Sequence, residues 1–162
     1  MDEKPHQSSL RKERVSIPER CYSITSCIEG KRPLLVPDSL RPLADVRPAR
    51  IIESCIRWLH GQKRWTYKGY VIMPDHVHVI FLLGESQTLS GVISSFGKFT
   101  AKKLNELLGR KGQIWQHGFY DHCLRDEESY LRHLSYVYEN PLRKGYVQNP
   151  EDWPFSAINP NW

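Results

Sequence analysis

The feature that most constrains the fold is the segment 71–83, VIMPDHVHVIFLL, which is almost entirely apolar. Pro74 and Asp75 interrupt it, and such a pair favours a tight turn between strands. The pattern therefore predicts two neighbouring antiparallel strands, at 65–73 and 76–83.

The rest of the chain alternates between strand-like and helix-like patterns. Residues 21–27 alternate as a strand does, and helical spacing of apolar residues marks 47–60, 89–108 and 127–140, with a further short strand at 119–124. The order is strand, helix, two strands, helix, strand, helix. This order predicts an α+β, ferredoxin-like sandwich, an antiparallel sheet with helices on its faces.

A chain of 162 residues with 40% hydrophobic residues is long enough for one domain with a core. Residues 1–19 are polar and charged, so we expect either a flexible basic arm that touches DNA or a tail without function. Residues 20–162 are predicted to form a single catalytic domain. The net charge of +5 fits a polyanionic partner, although many basic proteins have none.

The cellular compartment is predicted from sequence features that the chain lacks. No apolar run reaches the length of a membrane span, and the N-terminal residues lack the apolar stretch of a signal peptide. The four cysteines form no CxxC pair, which argues against a zinc knuckle or a redox motif. We expect a cytoplasmic protein with reduced cysteines and no membrane partner.

Two histidines stand inside the second of the paired strands. Side chains alternate along a strand, so His76 and His78 project from one face while Val77 and Val79 project from the other. A lone histidine in such a place is usually a hydrogen-bonded core residue. A pair on one face favours a metal site.

The last helix offers a third ligand. Ser129, His133, Tyr136 and Asn140 follow steps of three and four residues and form a polar stripe, whereas Leu131, Leu134 and Tyr138 face another way. The amide oxygen of Asn140 is a hard ligand, so a His, His, Asn set suits Mg²⁺ or Mn²⁺ better than structural zinc. Taken alone, the stripe would be a partly exposed helix face.

Several motifs resemble the HUH single-tyrosine transposases, and most closely the REP-associated tyrosine transposases, which process repetitive extragenic palindromes in bacterial genomes. The motifs are MPDHVHVI at 73–80, IWQHGFYDHCLRDEESY at 114–130, YVYENPLRKG at 136–145 and DWPFSA at 152–157. The resemblance implies a bacterial, nucleoid-associated enzyme that cleaves single-stranded DNA beside a hairpin through a covalent 5′-phosphotyrosine. It also implies a monomer or a homodimer.

Carried over to this chain, the resemblance makes His76 and His78 the metal-binding motif, Asn140 the third ligand and Tyr136 the nucleophile. Tyr120 is a second candidate nucleophile, although it lacks an amide at helical spacing. His122 and His133 are either ligand or base, or hydrogen-bonding bystanders.

DNA binding is assigned to the basic face of the second helix and the loop that follows it. The candidate residues are Lys98, Lys102, Lys103, Arg110 and Lys111. A solvated helix face would have the same composition. Trp115, Phe119 and Tyr120 are candidates for stacking on unpaired bases, with core packing as the alternative.

Two other functions share parts of this pattern. A replication or plasmid nickase would carry the same histidine motif, and the segments YVYENPLRKG and DWPFS argue against it. A catalytically idle hairpin-binding module would have the same fold and charge. Intact His76, His78 and Tyr136 argue against that second alternative.

Overall fold

The structure is a computed structural model that describes residues 16–37 and 45–160. Its strands are β1 (Cys21–Cys27), β2 (Trp65–Ile72), β3 (His76–Leu83), β4 (Tyr120–Leu124) and β5 (Ser156–Ile158). Its α-helices are α1 (Arg47–Gly61), α2 (Leu89–Leu108), α3 (Glu127–Tyr138) and α4 (Asn140–Arg143). Single 3-10 turns lie at Glu29–Lys31 and Pro150–Asp152.

The strands form one antiparallel sheet in the order β4-β1-β3-β2-β5. The first four positions are those of a ferredoxin-like sandwich, so the predicted fold class is confirmed. The sequence did not reveal β5. This short strand follows Trp153 and Phe155, whose buried rings anchor it beside β2, and the Trp153 indole donates to the Ile72 carbonyl at 3.1 Å.

Helices α1 and α2 seal one face of the sheet around an aromatic core. The rings of Tyr22 and Phe81 lie 6.3 Å apart, and Trp65 contacts both Phe81 and Phe96 of α2 at 4.6 and 6.0 Å. The Trp65 indole donates to the Ile56 carbonyl of α1, so even its polar atom is satisfied. This face carries most of the apolar burial that stabilises the fold.

Helix α3 lies on the opposite face, against β2, β3 and β4. It approaches β2 closely at Gly69, where a Cβ atom would come within 2.8 Å of Leu134 Cδ1. A larger residue at position 69 would require the Leu134 side chain to shift. The absence of a side chain at Gly69 therefore lets Leu134 of α3 pack directly on β2.

The prediction for the last helix is wrong about where the helix ends and about part of its apolar face. It stops at Tyr138 and a separate short turn begins at Asn140, because Pro141 has no amide hydrogen to continue the helical ladder. Leu131 does not share the buried side of Leu134: about half of its surface is exposed. Buried Tyr130 and Val137 join Leu134 in packing on the core.

The apolar stripe predicted for α2 also ends early. Leu108 is exposed at the last turn. Thr100, in contrast, is fully buried, and its hydroxyl donates to the Phe96 carbonyl at 2.7 Å. A polar residue thus occupies the stripe at no cost in lost hydrogen bonds. None of the described helices is long and apolar enough to cross a membrane.

The predicted arm lies mostly outside the described residues, which begin at Ser16. Its last four residues are attached to the domain. The Ser16 hydroxyl accepts from the Leu89 amide at the start of α2, the Ile17 amide donates to the Tyr22 hydroxyl, and the Glu19 amide donates to the Leu83 carbonyl.

Candidate active site

The two histidines of β3 point their Nε2 atoms at each other, 3.1 Å apart, with the rings nearly perpendicular at 85°. Both side chains are partly buried, while Val77 and Val79 between and beyond them are fully buried on the other face. The strand alternation predicted from the sequence therefore holds. It brings two imidazoles to a common point.

Each ring is held from behind by a hydrogen bond at Nδ1. His76 Nδ1 donates to the Asp75 carboxylate at 2.6 Å, and His78 Nδ1 bonds the Thr25 hydroxyl at 2.7 Å. Thr25 lies opposite His78 in the β1–β3 register, which explains its position. An imidazole held in this way at Nδ1 keeps its Nε2 available as a ligand atom.

The environment favours neutral imidazole at His78. Burial away from water and the neighbouring His76 lower the pKa of His78 from 6.5 to about 3, partly opposed by Asp75. The two Nε2 atoms, 3.1 Å apart, need a proton or a cation between them, because two facing lone pairs would repel.

Asn140 completes the cluster from the start of α4. Its side chain is 5% exposed, and Nδ2 lies 3.3 Å from His78 Nε2, while Oδ1 is buried without a hydrogen-bond partner among the described residues. Amide oxygen and nitrogen have nearly the same shape, so a half turn of the amide brings Oδ1 to face His78. A buried oxygen without a partner beside the imidazole nitrogens could serve as a cation ligand.

Tyr136 lies next to this cluster. Its ring is 6.4 Å from the His78 ring and 49% of the residue is exposed, so the phenol is open to a macromolecular substrate. The Arg143 guanidinium lies 4.4 Å from the centre of the Tyr136 ring and also pairs with Glu139 at 3.1 Å. Arg143 follows Tyr136 by seven residues, about two helical turns, so both side chains lie on the same side of the chain.

One cavity of about 470 Å³ collects these groups. Besides the histidines, Tyr136 and Asn140, its walls include Lys31 and Lys144, which sequence reasoning did not select. Lys31 follows β1 and Lys144 follows α4, so only the fold brings them together. The one sequence signal was the position of Lys144 in the segment YVYENPLRKG, directly after the predicted ligand helix.

The five predicted DNA-binding residues lie elsewhere. Lys98, Lys102, Lys103 and Lys111 are exposed along α2 and the loop after it, on the far side of the sheet from the histidines, and none of the five lines the cavity. Lys102, Arg110 and Lys111 border a separate shallow depression. Lys103 is paired with Glu106 at 3.0 Å on the surface, a contact that contributes little.

The aromatic candidates divide into two groups. Trp115 packs on Phe96 at 5.7 Å and donates to the Thr100 hydroxyl, and Phe119 packs against the core, so both have structural roles. Tyr120 is 51% exposed on β4. The rings of His122 and His133 are stacked, 4.9 Å apart, and line a second groove together with Tyr136 and His78.

Metal-site chemistry here depends on the asparagine. Within 16–37 and 45–160, no group of three or more His, Cys, Asp and Glu residues is arranged to hold an ion. A set of two histidines and one asparagine is a different kind of group, because its third ligand is an amide oxygen. His76, His78 and Asn140 are thus the residues of this cavity that could hold a metal.

Fold and site together define a sheet with a paired-histidine strand facing a helix that carries a tyrosine and an asparagine. The chain matches the family Transposase IS200 like over residues 37–140, more than half of its length, and it belongs to that family. That stretch includes the histidine pair, Tyr136 and Asn140.

Among its relatives is the REP-associated tyrosine transposase of Escherichia coli, 34% identical over 91 residues, which are 56% of this chain and 53% of that protein. An uncharacterized protein of Haemophilus influenzae is 29% identical over 168 residues, covering 85% of this chain and 89% of that one. The chain spans about half the length of the curated REP-associated relatives it matches.

A solved structure, a REP-associated tyrosine transposase bound to a REP hairpin, superposes with a TM-score of 0.68 and 25% identity. The superposition covers 96% of this chain and 82% of that one. The shared fold therefore covers nearly the whole of this chain.

Proposed function

We propose that this protein is a metal-dependent transposase that cleaves and rejoins single-stranded DNA next to a hairpin, with Tyr136 as the nucleophile. The observation that carries the proposal is that His78 Nε2 lies 3.1 Å from His76 Nε2 and 3.3 Å from Asn140 Nδ2, in a cavity that Tyr136 also lines. Membership of the IS200-like family supports a transposase rather than a replication or plasmid nickase.

The residues present fit a divalent cation. His76 donates from Nδ1 to Asp75, and His78 can donate from Nδ1 to Thr25, which leaves both Nε2 lone pairs directed into the cavity. The buried Asn140 Oδ1 supplies a hard oxygen, as Mg²⁺ and Mn²⁺ prefer. Such an ion, when bound, would offset negative charge on the scissile phosphate.

Tyr136 supplies the covalent chemistry. Its phenolic oxygen forms a bond to phosphorus while the bond from phosphorus to the 3′-oxygen breaks, and the phenol proton is balanced by the proton gained on the freed 3′-hydroxyl. The product is a 5′-phosphotyrosine that conserves the phosphodiester bond energy for rejoining. Arg143 holds the ring from one side, which fixes the direction of attack.

Lys31 and Lys144 give the cavity positive charge where a phosphate would enter. The E. coli relative is named a REP-associated tyrosine transposase, and the superposed structure holds a REP hairpin. We therefore assign hairpin DNA with an unpaired flank as the substrate class, and the basic face of α2 as a second contact to the DNA backbone.

The test is incubation of end-labelled hairpin DNA, with an unpaired tail on each side, with the protein and Mn²⁺ or Mg²⁺. A labelled band that migrates with the protein on a denaturing gel, absent when EDTA is added, is the expected result. Tight hairpin binding without any adduct would instead make the protein an idle binding module. Cleavage to free ends without an adduct would make it a hydrolytic nuclease.

A further inference from the structure

A second groove, of about 390 Å³, lies beside Tyr136. It shares Thr25, His78 and Tyr136 with the catalytic cavity, and its remaining wall comes from β4, from α3 and from Ser23 of β1. We name it the β4 groove, after the edge strand that forms its rim. The proposed reaction uses none of the residues that belong to this groove alone.

Sheet register fixes where the groove runs. Tyr120 of β4 pairs with Thr25 of β1, which pairs with His78 of β3, so the three residues form one row across the sheet. Two strand spacings separate Tyr120 from His78, roughly 10 Å. That distance is comparable with the length of one nucleotide from its phosphate to the far edge of its base.

Flat rings line the groove. His122 and His133 are stacked at 4.9 Å with an angle of 13° between their planes, and Tyr120 is half-exposed at the edge. His133 Nδ1 donates to the Ser129 carbonyl at 2.9 Å, which orients the ring and leaves Nε2 free to accept or donate. Stacked rings with a spare polar atom suit a heteroaromatic base.

The outer rim carries a cation. Arg132 borders the groove and pairs with Glu128 at 2.7 Å, but both side chains are largely exposed, so this pair is easily exchanged for a phosphate. The rings of Tyr120 and His122 and the guanidinium of Arg132 thus border the same groove. A nucleotide therefore fits with its base against the rings and its backbone phosphate toward the guanidinium.

We propose that the β4 groove binds the unpaired base of a nucleotide adjacent to the phosphate that Tyr136 attacks. The inference rests on the proposed function, since Tyr136 is the point at which the groove and the catalytic cavity meet. Stacking in the groove would fix the strand on one side of the reactive phosphate while the histidine cluster fixes the phosphate itself. Tyr120 then has a substrate-binding role in place of the nucleophilic one considered for it from the sequence.

The experiment places a fluorescent base analogue at one tail position at a time in hairpin DNA. Full-length Tyr136→Phe protein with Mn²⁺ is titrated in, so that the strand stays intact. At one tail position we expect a fluorescence change on binding. Tyr120→Ala and His122→Ala, added to this protein, should abolish the change and weaken binding about tenfold, the scale of one lost base stack.

Both side chains are exposed, so neither substitution removes core packing. The matched control is Leu131→Ala, an exposed residue of α3 that lines neither cavity and should leave the signal unchanged. An abasic nucleotide at the responsive position should erase the difference between Tyr120→Ala and its parent. No responsive tail position, or a response that survives in both groove variants, overturns the groove assignment.

Failure of the proposed reaction has a separate signature. If the groove responds but wild-type protein forms no adduct on the same DNA, the tyrosine chemistry is wrong while the base-binding groove stands. If adducts form and no base responds, the chemistry stands and the groove assignment is lost.

Discussion

The two faces of the sheet are built for different purposes. One face is sealed by α1 and α2, and Trp65, Phe81 and Phe96 fill it with contacting rings. The other face carries His76 and His78 beside the open Tyr136. The aromatic core and the candidate site are therefore separated by one layer of backbone, since neighbouring residues of β3 face opposite sides of the sheet.

This separation predicts that substitutions on the histidine face change activity and those on the helix-sealed face change stability. The largest effect should come from His76→Ala. Loss of one ligand should lower adduct formation by more than ~100-fold, above the range for groups that only support a ligand. The free energy of unfolding without metal should fall by less than in a variant of the aromatic core, because the His76 side chain keeps 16% of its surface exposed.

Adduct gels and chemical denaturation, run on the same His76→Ala preparation, measure both quantities. Asn140→Ala removes a second proposed ligand, which lies on α4 instead of β3. Normal cleavage by either variant in the presence of metal would show that the ion is held elsewhere.

On the opposite face, Phe81→Ala should lower the free energy of unfolding by about 3–5 kcal/mol, the usual cost of a large aromatic cavity. Phe81 is fully buried against Tyr22 and Trp65. Protein that remains folded at low temperature should still form the adduct. A selective loss of activity with unchanged stability would contradict the division between the faces.

A smaller effect is expected from Asp75→Asn. The carboxylate orients His76 through a 2.6 Å hydrogen bond, and replacing such a supporting group typically costs about 10–100-fold in metal affinity. Titration with Mn²⁺ should therefore show weaker binding, with cleavage restored at higher metal concentration. If the loss persists at saturating Mn²⁺, Asp75 acts on something other than metal affinity.

Much of this arrangement could be predicted from the sequence because it depends on local periodicity. The alternation in HVHV placed both histidines on one face, and the steps between Tyr136 and Asn140 placed these two side chains near them. Long-range partners could not be predicted in this way. Thr25 reaches His78 only through strand register, and β5 is too short to show a period.

The smallest effect should come from the helix-sealed side. Replacing Lys98, Lys102 and Lys103 with alanine should weaken hairpin binding and reduce the slope of log affinity against log salt by up to about 2–3, since each phosphate contact releases roughly one counterion. Cleavage at saturating DNA should be unchanged. Lys31→Ala with Lys144→Ala is the matched comparison, because those lysines line the catalytic cavity.

If the α2 variant keeps the wild-type salt slope while the cavity variant loses it, the DNA follows the histidine face alone. The basic face of α2 would then be a solvated surface. Equal losses in both variants would mean that the DNA contacts both sides of the sheet.

The proposed reaction requires Tyr136 to make the covalent bond to DNA. The most direct measurement compares wild type, Tyr136→Phe and Tyr120→Phe on one labelled hairpin with Mn²⁺, on a denaturing gel. Tyr136→Phe keeps the ring that Arg143 contacts but lacks the hydroxyl, so it should bind the hairpin and form no adduct, while Tyr120→Phe should still form one. An adduct that persists in Tyr136→Phe and disappears in Tyr120→Phe would contradict the account and assign the nucleophile to the edge strand.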